Sequence, residues 1–255
     1  MSAPSPAAPR VEPLARALRG FAVDVALLLA GMVLLSLAVL VAWSIWLTLG
    51  AGAGAVSAEL ARPPVGLQLA LAVIATGGPA VLLFAWRASQ AAPMSPTATP
   101  PRSALWALAT GAAVFALSGT AMMLAERLGM SARASNLDVL EPTMRSAPWA
   151  VLAFAVVLAP VYEELLFRGV LFRRLWAAGR PGLGMALSGA AFALMHEPPG
   201  MSGHPLPAAA LLWCTYAAMG AAFAWVYRRT GRLSAAIGAH ALNNALGAGA
   251  LWLAV

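Results

Sequence analysis

The sequence predicts an all-α fold, a polytopic membrane helix bundle of about seven transmembrane helices. Of its 255 residues, 61% are hydrophobic and only 10% are charged, whereas soluble domains have roughly 45–50% and about 25%. The mean hydropathy of +0.80 agrees, because such a chain has too little polar surface to cover a water-soluble globule. The composition therefore excludes a soluble fold.

Seven apolar runs have the length, or nearly the length, of a membrane span, which takes about 20 largely apolar residues. They cover residues 21–49, 65–86, 104–125, 148–167, 183–195, 206–227 and 233–255. Because the fifth run has only 13 residues, we expect it either to begin further back or to pack against other helices rather than lipid. Six or eight spans are the alternatives to seven.

The runs divide the chain into three predicted parts. Residues 1–20 are a polar cytoplasmic tail, residues 21–140 are N-terminal transmembrane helices without a motif, and residues 141–255 are a transmembrane core that holds the candidate functional groups. The motif-free part could serve substrate access or a partner. A Pro-rich stretch at 89–103 predicts a flexible connector between the second and third runs.

All 16 basic residues are arginine, which is typical of a GC-rich genome and points to a bacterial inner (plasma) membrane. They are scattered between apolar runs, so we interpret them as topology determinants and expect no nucleic-acid partner. With a cytoplasmic N-terminus, 12 arginines are inside, among them Arg168, and four are outside. Cys214 is the only cysteine, which excludes an intrachain disulfide.

Two carboxylates interrupt the fourth run, where each ionisable group costs roughly 2.5–3.5 kcal/mol to insert and is a functional candidate. Glu164 precedes Arg168 by four residues, which predicts an ion pair on one helix face. Glu163 is turned about 100° away and is left to face a cavity. A charge cluster at the cytoplasmic end of the helix is the alternative. Asp24, near the start of the first run, is expected to snorkel or to cap a helix.

Two of the three histidines lie in apolar sequence. His196 directly follows the fifth run, and His240 lies in the last run with Asn244 on the same helix face and Asn243 turned away. From their distances to the run ends, Glu163 and these two histidines can converge in the inner half of the bilayer, although a packing role is an alternative for each histidine. His204 lies in a Gly/Pro-rich loop and is expected at the surface.

Three short motifs in these runs resemble those of the CPBP family, which includes type II CAAX prenyl endopeptidases and bacteriocin-processing or Abi-like immunity proteins. Residues 163–168 read Glu-Glu-Leu-Leu-Phe-Arg for Glu-Glu-x-x-x-Arg. Residues 192–196 read Phe-Ala-Leu-Met-His for Phe-x-x-x-His, and residues 240–244 read His-Ala-Leu-Asn-Asn for His-x-x-x-Asn. Their order and spacing in an apolar chain carry the resemblance, which covers residues 145–250.

The resemblance implies an intramembrane endopeptidase that cleaves a peptide or membrane-associated protein near its terminus. Glu163 would be the general base that activates a water, His196 would hold that water, and His240 and Asn244 would stabilise the oxyanion. Glu164 and Arg168 would be a structural or substrate-orienting pair. The implied partners are a peptide or membrane-protein substrate and the lipid bilayer.

The role of a metal is left open by the resemblance, because members of the family are often called metalloproteases. A divalent metal such as zinc would take Glu163, His196 and His240 as ligands, but we favour a mechanism without a cofactor, since Glu163 cannot be both the base and a good ligand. Two other functions remain alternatives. One is a non-catalytic membrane scaffold or immunity-type protein of the same fold, and the other is a proton-coupled transporter.

Overall fold

The computed structural model describes residues 12–90, 95–130, 132–200 and 203–254. These residues form helices and contain no strand, so the predicted all-α fold is confirmed. The described helices are α1 (Leu14–Ala51), α2 (Ala53–Ala61), α3 (Val65–Gln90), α4 (Pro100–Arg127), α5 (Leu137–Ser146), α6 (Pro148–Ala177), α7 (Pro181–His196), α8 (Leu206–Thr230) and α9 (Leu233–Ala254).

Five of these helices are long and apolar enough to cross a membrane, namely α1, α3, α4, α6 and α8. The fifth and seventh predicted spans correspond to α7 and α9. Helix α7 has only 16 residues, and α9, with 22 residues, includes four polar side chains that lower its hydropathy. Both pack on spanning helices, α7 chiefly on α8 and α9 chiefly on α4.

In the connector predicted at 89–103, residues 89–90 and 100–103 are helical, and residues 91–94 lie outside the described residues. Helix α3 continues to Gln90 and α4 begins at Pro100. Between them, the backbone N–H of Thr97 donates to the carbonyl of Thr230 at 3.0 Å, and Arg232 donates to the carbonyl of Ala98 at 3.0 Å. The prediction of a flexible connector is therefore wrong for residues 95–99, because the turn between α8 and α9 binds them.

Three wider, π-type turns interrupt the spanning helices, at Leu71–Gly77 in α3 and at Ala153–Leu158 and Phe167–Phe172 in α6. The first two each end two residues before a proline, Pro79 and Pro160. A proline in a helix has no N–H to donate and crowds the carbonyl four residues before it, which favours a widened turn at that place. Glu163 follows Pro160 directly on the next turn.

Helix α6 is longer than the predicted run, since it continues ten residues beyond position 167, to Ala177. Its middle is therefore covered by neighbouring helices, and a buried aromatic layer surrounds it. Phe167, Phe172, Phe192 and Phe223 are each no more than 1% exposed. The Glu164 side chain in this region is not exposed at all, whereas the Glu163 side chain is 15% exposed.

Candidate active site

The two adjacent glutamates of α6 point in different directions. Glu164 is fully buried, and its Oε1 accepts hydrogen bonds from Arg168 Nη1 and from His240 Nδ1, both at 2.8 Å. The predicted Glu164–Arg168 ion pair is therefore present. The bond from His240 joins α9 to α6 and was not predicted, because it spans 76 residues.

Arg168 is fully buried as well. Its Nη2 donates to the carbonyl of Gly220 on α8 at 2.9 Å, and its guanidinium lies 4.9 Å from the ring centre of Phe192. The prediction that Arg168 lies in a cytoplasmic segment is wrong. Because α6 continues past position 167 and Glu164 supplies a counter-charge, the arginine is held inside the bundle.

Glu163 faces the two histidines that the sequence singles out. Its Oε2 lies 3.6 Å from His196 Nε2 and 3.8 Å from His240 Nε2, distances too long for direct hydrogen bonds. This oxygen is buried and has no hydrogen-bond partner in the described structure. The structure thus brings Glu163, His196 and His240 together, from α6, α7 and α9.

Both imidazole rings are fixed on the side away from Glu163. His196 Nδ1 donates to the carbonyl of Phe192 at 2.9 Å, and His240 Nδ1 donates to Glu164. Phe192 also stacks on the His196 ring at 4.1 Å between centres, and Phe223 stacks on His240 at 4.8 Å. Because a carbonyl oxygen only accepts, His196 Nδ1 carries a hydrogen, and the Nε2 of the neutral ring presents a lone pair towards Glu163.

Asn244 has its described contacts away from these three side chains. Its Nδ2 donates to the carbonyl of Ala155 at 2.8 Å, within the widened turn of α6, and its Oδ1 accepts from Asn243 at 3.0 Å. One of its two amide hydrogens is thus used to join α9 to the turn that precedes Glu163.

Two buried acidic residues outside the motifs have partners that the sequence does not reveal. Asp24 is fully buried and pairs with Arg87 of α3 and Arg174 of α6, so the expectation that it snorkels or caps a helix is wrong. Its place in an apolar run was a signal, but its partners lie 63 and 150 residues away. Glu197 is fully buried beside His196, and nothing in the motifs marks it.

His204, expected at the surface, lies in the loop after α7, and its Nε2 lies 2.6 Å from the carbonyl oxygen of Arg133. This contact joins two loops of the bundle.

The alternative ligand set for a metal is Glu163, His196 and His240. The described part of the chain has no group of three or more His, Cys, Asp or Glu side chains arranged to hold a metal ion. Glu163, His196 and His240 approach one another without forming such a group, and we assign no reaction step to a metal.

Comparison with known proteins identifies one domain. No curated protein and no solved structure is significantly similar to this chain. Residues 145–246 match the family model described as type II CAAX prenyl endopeptidase Rce1-like. This segment contains all three motifs and the side chains that meet around Glu163. Residues 145–246 are therefore similar to the Rce1-like type II CAAX prenyl endopeptidases of the CPBP family, and they lie in an all-α, integral membrane helix bundle.

Proposed function

We propose that this protein is an intramembrane endopeptidase in which Glu163 activates a water molecule that cleaves a peptide bond. The observation that carries the proposal is the arrangement around Glu163 Oε2. This buried oxygen has no hydrogen-bond partner in the described structure and faces two imidazole nitrogens at 3.6 and 3.8 Å. A base and two groups that can orient a water are thereby held on three different helices.

In the first step Glu163 takes one proton from the water, and the water oxygen attacks the carbonyl carbon of the scissile bond. His196 orients that water, because its Nδ1–H is committed to Phe192 and its Nε2 can accept the second hydrogen. A side-chain nucleophile is not needed, and no acyl-enzyme forms.

The attack places a negative charge on the carbonyl oxygen, and the proposal assigns its stabilisation to His240 and Asn244. His240 can donate from Nε2 when it carries a hydrogen on both nitrogens, with Glu164 accepting from Nδ1. Asn244 can donate its second amide hydrogen, since the first is used on Ala155. Glu163 then gives its proton to the leaving nitrogen, the C–N bond breaks, and a carboxylic acid and an amine are released.

Glu164 and Arg168 have a supporting role in this proposal. Their buried pair anchors His240 through one carboxylate oxygen and anchors α8 through the Gly220 carbonyl. The pair thus sets the distance between the helix that holds the base and the helix that holds the oxyanion donor.

We also propose that the substrate is a peptide or a membrane-associated protein cut near its terminus, and that the protein lies in a bacterial inner membrane with its N-terminus in the cytoplasm. The arginine bias supports this orientation, because without Arg168 the cytoplasmic segments would hold 11 arginines and the outer segments four. Protease digestion of an N-terminal tag in sealed inside-out vesicles tests the orientation, and a tag protected there contradicts it.

The test of the proposed function is cleavage of a quenched peptide library by the purified full-length protein in detergent. We expect Glu163→Gln to lower kcat by about 10³-fold or more, because it removes the base, and His240→Ala to lower it by about 10²-fold. Glu59→Gln is the matched control, since this carboxylate accepts a hydrogen bond from Trp43 far from the motifs.

The same assay tests whether cleavage requires a metal ion. We expect cleavage to continue in the presence of a chelator that strips zinc. Loss of cleavage on chelation, restored by added zinc, would overturn the metal-independent mechanism and leave the protease function intact. Cleavage that is as fast in Glu163→Gln as in the wild type would contradict the proposed function itself.

A further inference from the structure

Glu197 is a buried carboxylate that the proposed reaction does not use. It follows His196 directly, and its backbone N–H donates to the carbonyl of Ala193 at 2.9 Å, which is the last helical bond of α7. Its side chain is fully buried. A carboxylate is costly to bury unless it is hydrogen-bonded, so the partners of Glu197 indicate why it is there.

Its partners come from two other parts of the bundle. Both carboxylate oxygens accept from Ser135 Oγ, at 2.7 and 2.9 Å, and the backbone N–H of Ser135 lies 3.4 Å from Oε2. The main-chain carbonyl of Glu197 accepts from Trp213 Nε1 of α8 at 2.6 Å. We call Ser135, Glu197 and Trp213 the Glu197 clamp.

A second contact ties the same two loops together. His204 Nε2 lies 2.6 Å from the carbonyl oxygen of Arg133, and Arg133 pairs with Glu141 of α5 at 2.9 Å. The hydrogen bond from Arg133 lowers the pKa of Glu141, which keeps that pair charged. The loop before α5 therefore holds the loop after α7 at two places, through Ser135 and through Arg133.

The clamp acts at the end of the short helix that carries His196. The hydrogen bond and the closest ring contact of His196 are both to Phe192, within α7 itself. These contacts hold the His196 ring against its own helix, but they do not hold the end of α7 against α6. The last turn of a helix leaves its carbonyls without helical partners and frays readily. From outside α7, the ring of Tyr216 on α8 contacts the His196 ring. A further contact from outside α7 is needed to hold the end of this helix in place.

We propose that Glu197 is a positioning residue, which holds the end of α7 through the Glu197 clamp and so keeps His196 Nε2 facing Glu163. This inference rests on the proposed function for its effect on cleavage, but not for its effect on His196. Arg133 and Ser135, outside the matched family segment, thereby contribute to the site.

Steady-state cleavage by the full-length protein gives the first test. We expect Glu197→Ala and Ser135→Ala to lower kcat by about tenfold or more, with KM within about twofold, because a displaced His196 misplaces the water and not the substrate. Glu197→Gln keeps an oxygen that accepts from Ser135, so it should retain most of the wild-type kcat. The double variant Glu197→Ala/Ser135→Ala should have a kcat no lower than that of Glu197→Ala, since both changes break the same contact.

The second test does not depend on activity. His196 in the folded, detergent-solubilised protein is modified with diethyl pyrocarbonate, and its rate is followed by peptide mass spectrometry. We expect the rate to rise severalfold in Glu197→Ala and Ser135→Ala and to be unchanged in Glu59→Gln. If Glu197→Ala does not fold, Ser135→Ala alone decides the point.

A failure of the proposed function can be distinguished from a failure of this inference about Glu197. If the wild type cleaves no peptide, or if Glu163→Gln cleaves as the wild type does, the proposed function fails, while the modification rate of His196 still decides its positioning. An unchanged modification rate in both clamp variants overturns the inference. A wild-type kcat in both variants of an active enzyme overturns it too.

Discussion

Arg168 is the largest fully buried side chain in the described part of the protein. Its planar guanidinium reaches two acceptors at once, the Glu164 carboxylate and the Gly220 carbonyl, and it lies against the Phe192 ring. An ammonium group on a flexible chain cannot reproduce this fork. The pair is therefore a structural link between α6 and α8 as well as a counter-charge for Glu164.

Removing this guanidinium should leave the buried Glu164 carboxylate without its counter-charge. We expect Arg168→Ala to lower the free energy of unfolding by about 3–5 kcal/mol, and Arg168→Lys to lower it by less while still losing one of the two contacts. Denaturant titration in detergent measures both, with the exposed Arg102→Ala as control. Wild-type stability in Arg168→Ala would show that the pair contributes nothing to the fold.

At the residue scale, the sequence predicts local pairs and not distant ones. The Glu164–Arg168 pair follows from a spacing of four on one helix, because that spacing places two side chains on one face. The contact of Glu164 with His240 crosses 76 positions, and the partners of Asp24 depend on how three helices pack. The motifs name residues that meet, but the hydrogen bonds that orient them depend on tertiary structure.

At the scale of elements, the crossing of α7 and α8 depends on two glycines. A Cβ atom at Gly220 would lie 2.8 Å from the Cα of Gly189, closer than real Cβ atoms approach, and 3.2 Å from the Cβ of Phe192, which is tighter than most real contacts. The two backbones therefore touch where Gly220 offers its carbonyl to Arg168. Small residues allow such close contacts between helices in membranes.

We expect Gly220→Ala to push α7 and α8 apart and to destabilise the protein by about 1–3 kcal/mol, as overpacking does. It should also lower kcat, since α7 carries His196. Gly119→Ala is the matched control in α4, where an added Cβ meets no atom within 4 Å and alanine is the better helix former. The prediction is contradicted if both variants unfold at the same denaturant concentration.

Hydropathy predicts the long helices well and the remaining elements poorly. All seven apolar runs correspond to helices, but α2 and α5 were not predicted, because helices of nine and ten residues are too short for a membrane-span signal. The prolines at 79 and 160 were visible in the sequence. The widened turns before them depend on how the backbone avoids the steric clash at each proline. These turns matter for the site, since the carbonyl of Ala155 in one of them binds Asn244.

At the scale of the whole molecule, the motif-free N-terminal helices are joined to the core by a buried charge cluster. Asp24 of α1 accepts from Arg87 of α3 and from Arg174 at the end of α6, each at 2.7 Å. The arginine side chains are 19% and 22% exposed, and the Asp24 side chain is not exposed at all. One carboxylate therefore holds three helices from both predicted parts of the chain.

We expect Asp24→Asn to lower the free energy of unfolding by about 1–3 kcal/mol, because charge-assisted hydrogen bonds are lost. Both arginines can still reach water, so the cost is smaller than for a fully buried pair. The control is Asp138→Asn, which removes an ion pair whose carboxylate side chain is 78% exposed and should change the stability by less than about 1 kcal/mol. Denaturant titration in detergent compares the two.

Cleavage kinetics on the same two variants distinguish a role of Asp24 in holding the helices together from a role in catalysis. Because Asp24 lies outside the cluster around Glu163, the folded Asp24→Asn protein should keep a kcat within about threefold of the wild type while it unfolds at a lower denaturant concentration. Equal stability of Asp24→Asn and Asp138→Asn would mean that the buried cluster does not hold the N-terminal helices to the core. A large loss of kcat in a stable Asp24→Asn protein would instead make the N-terminal helices part of the reaction, through the contact of Asp24 with α6.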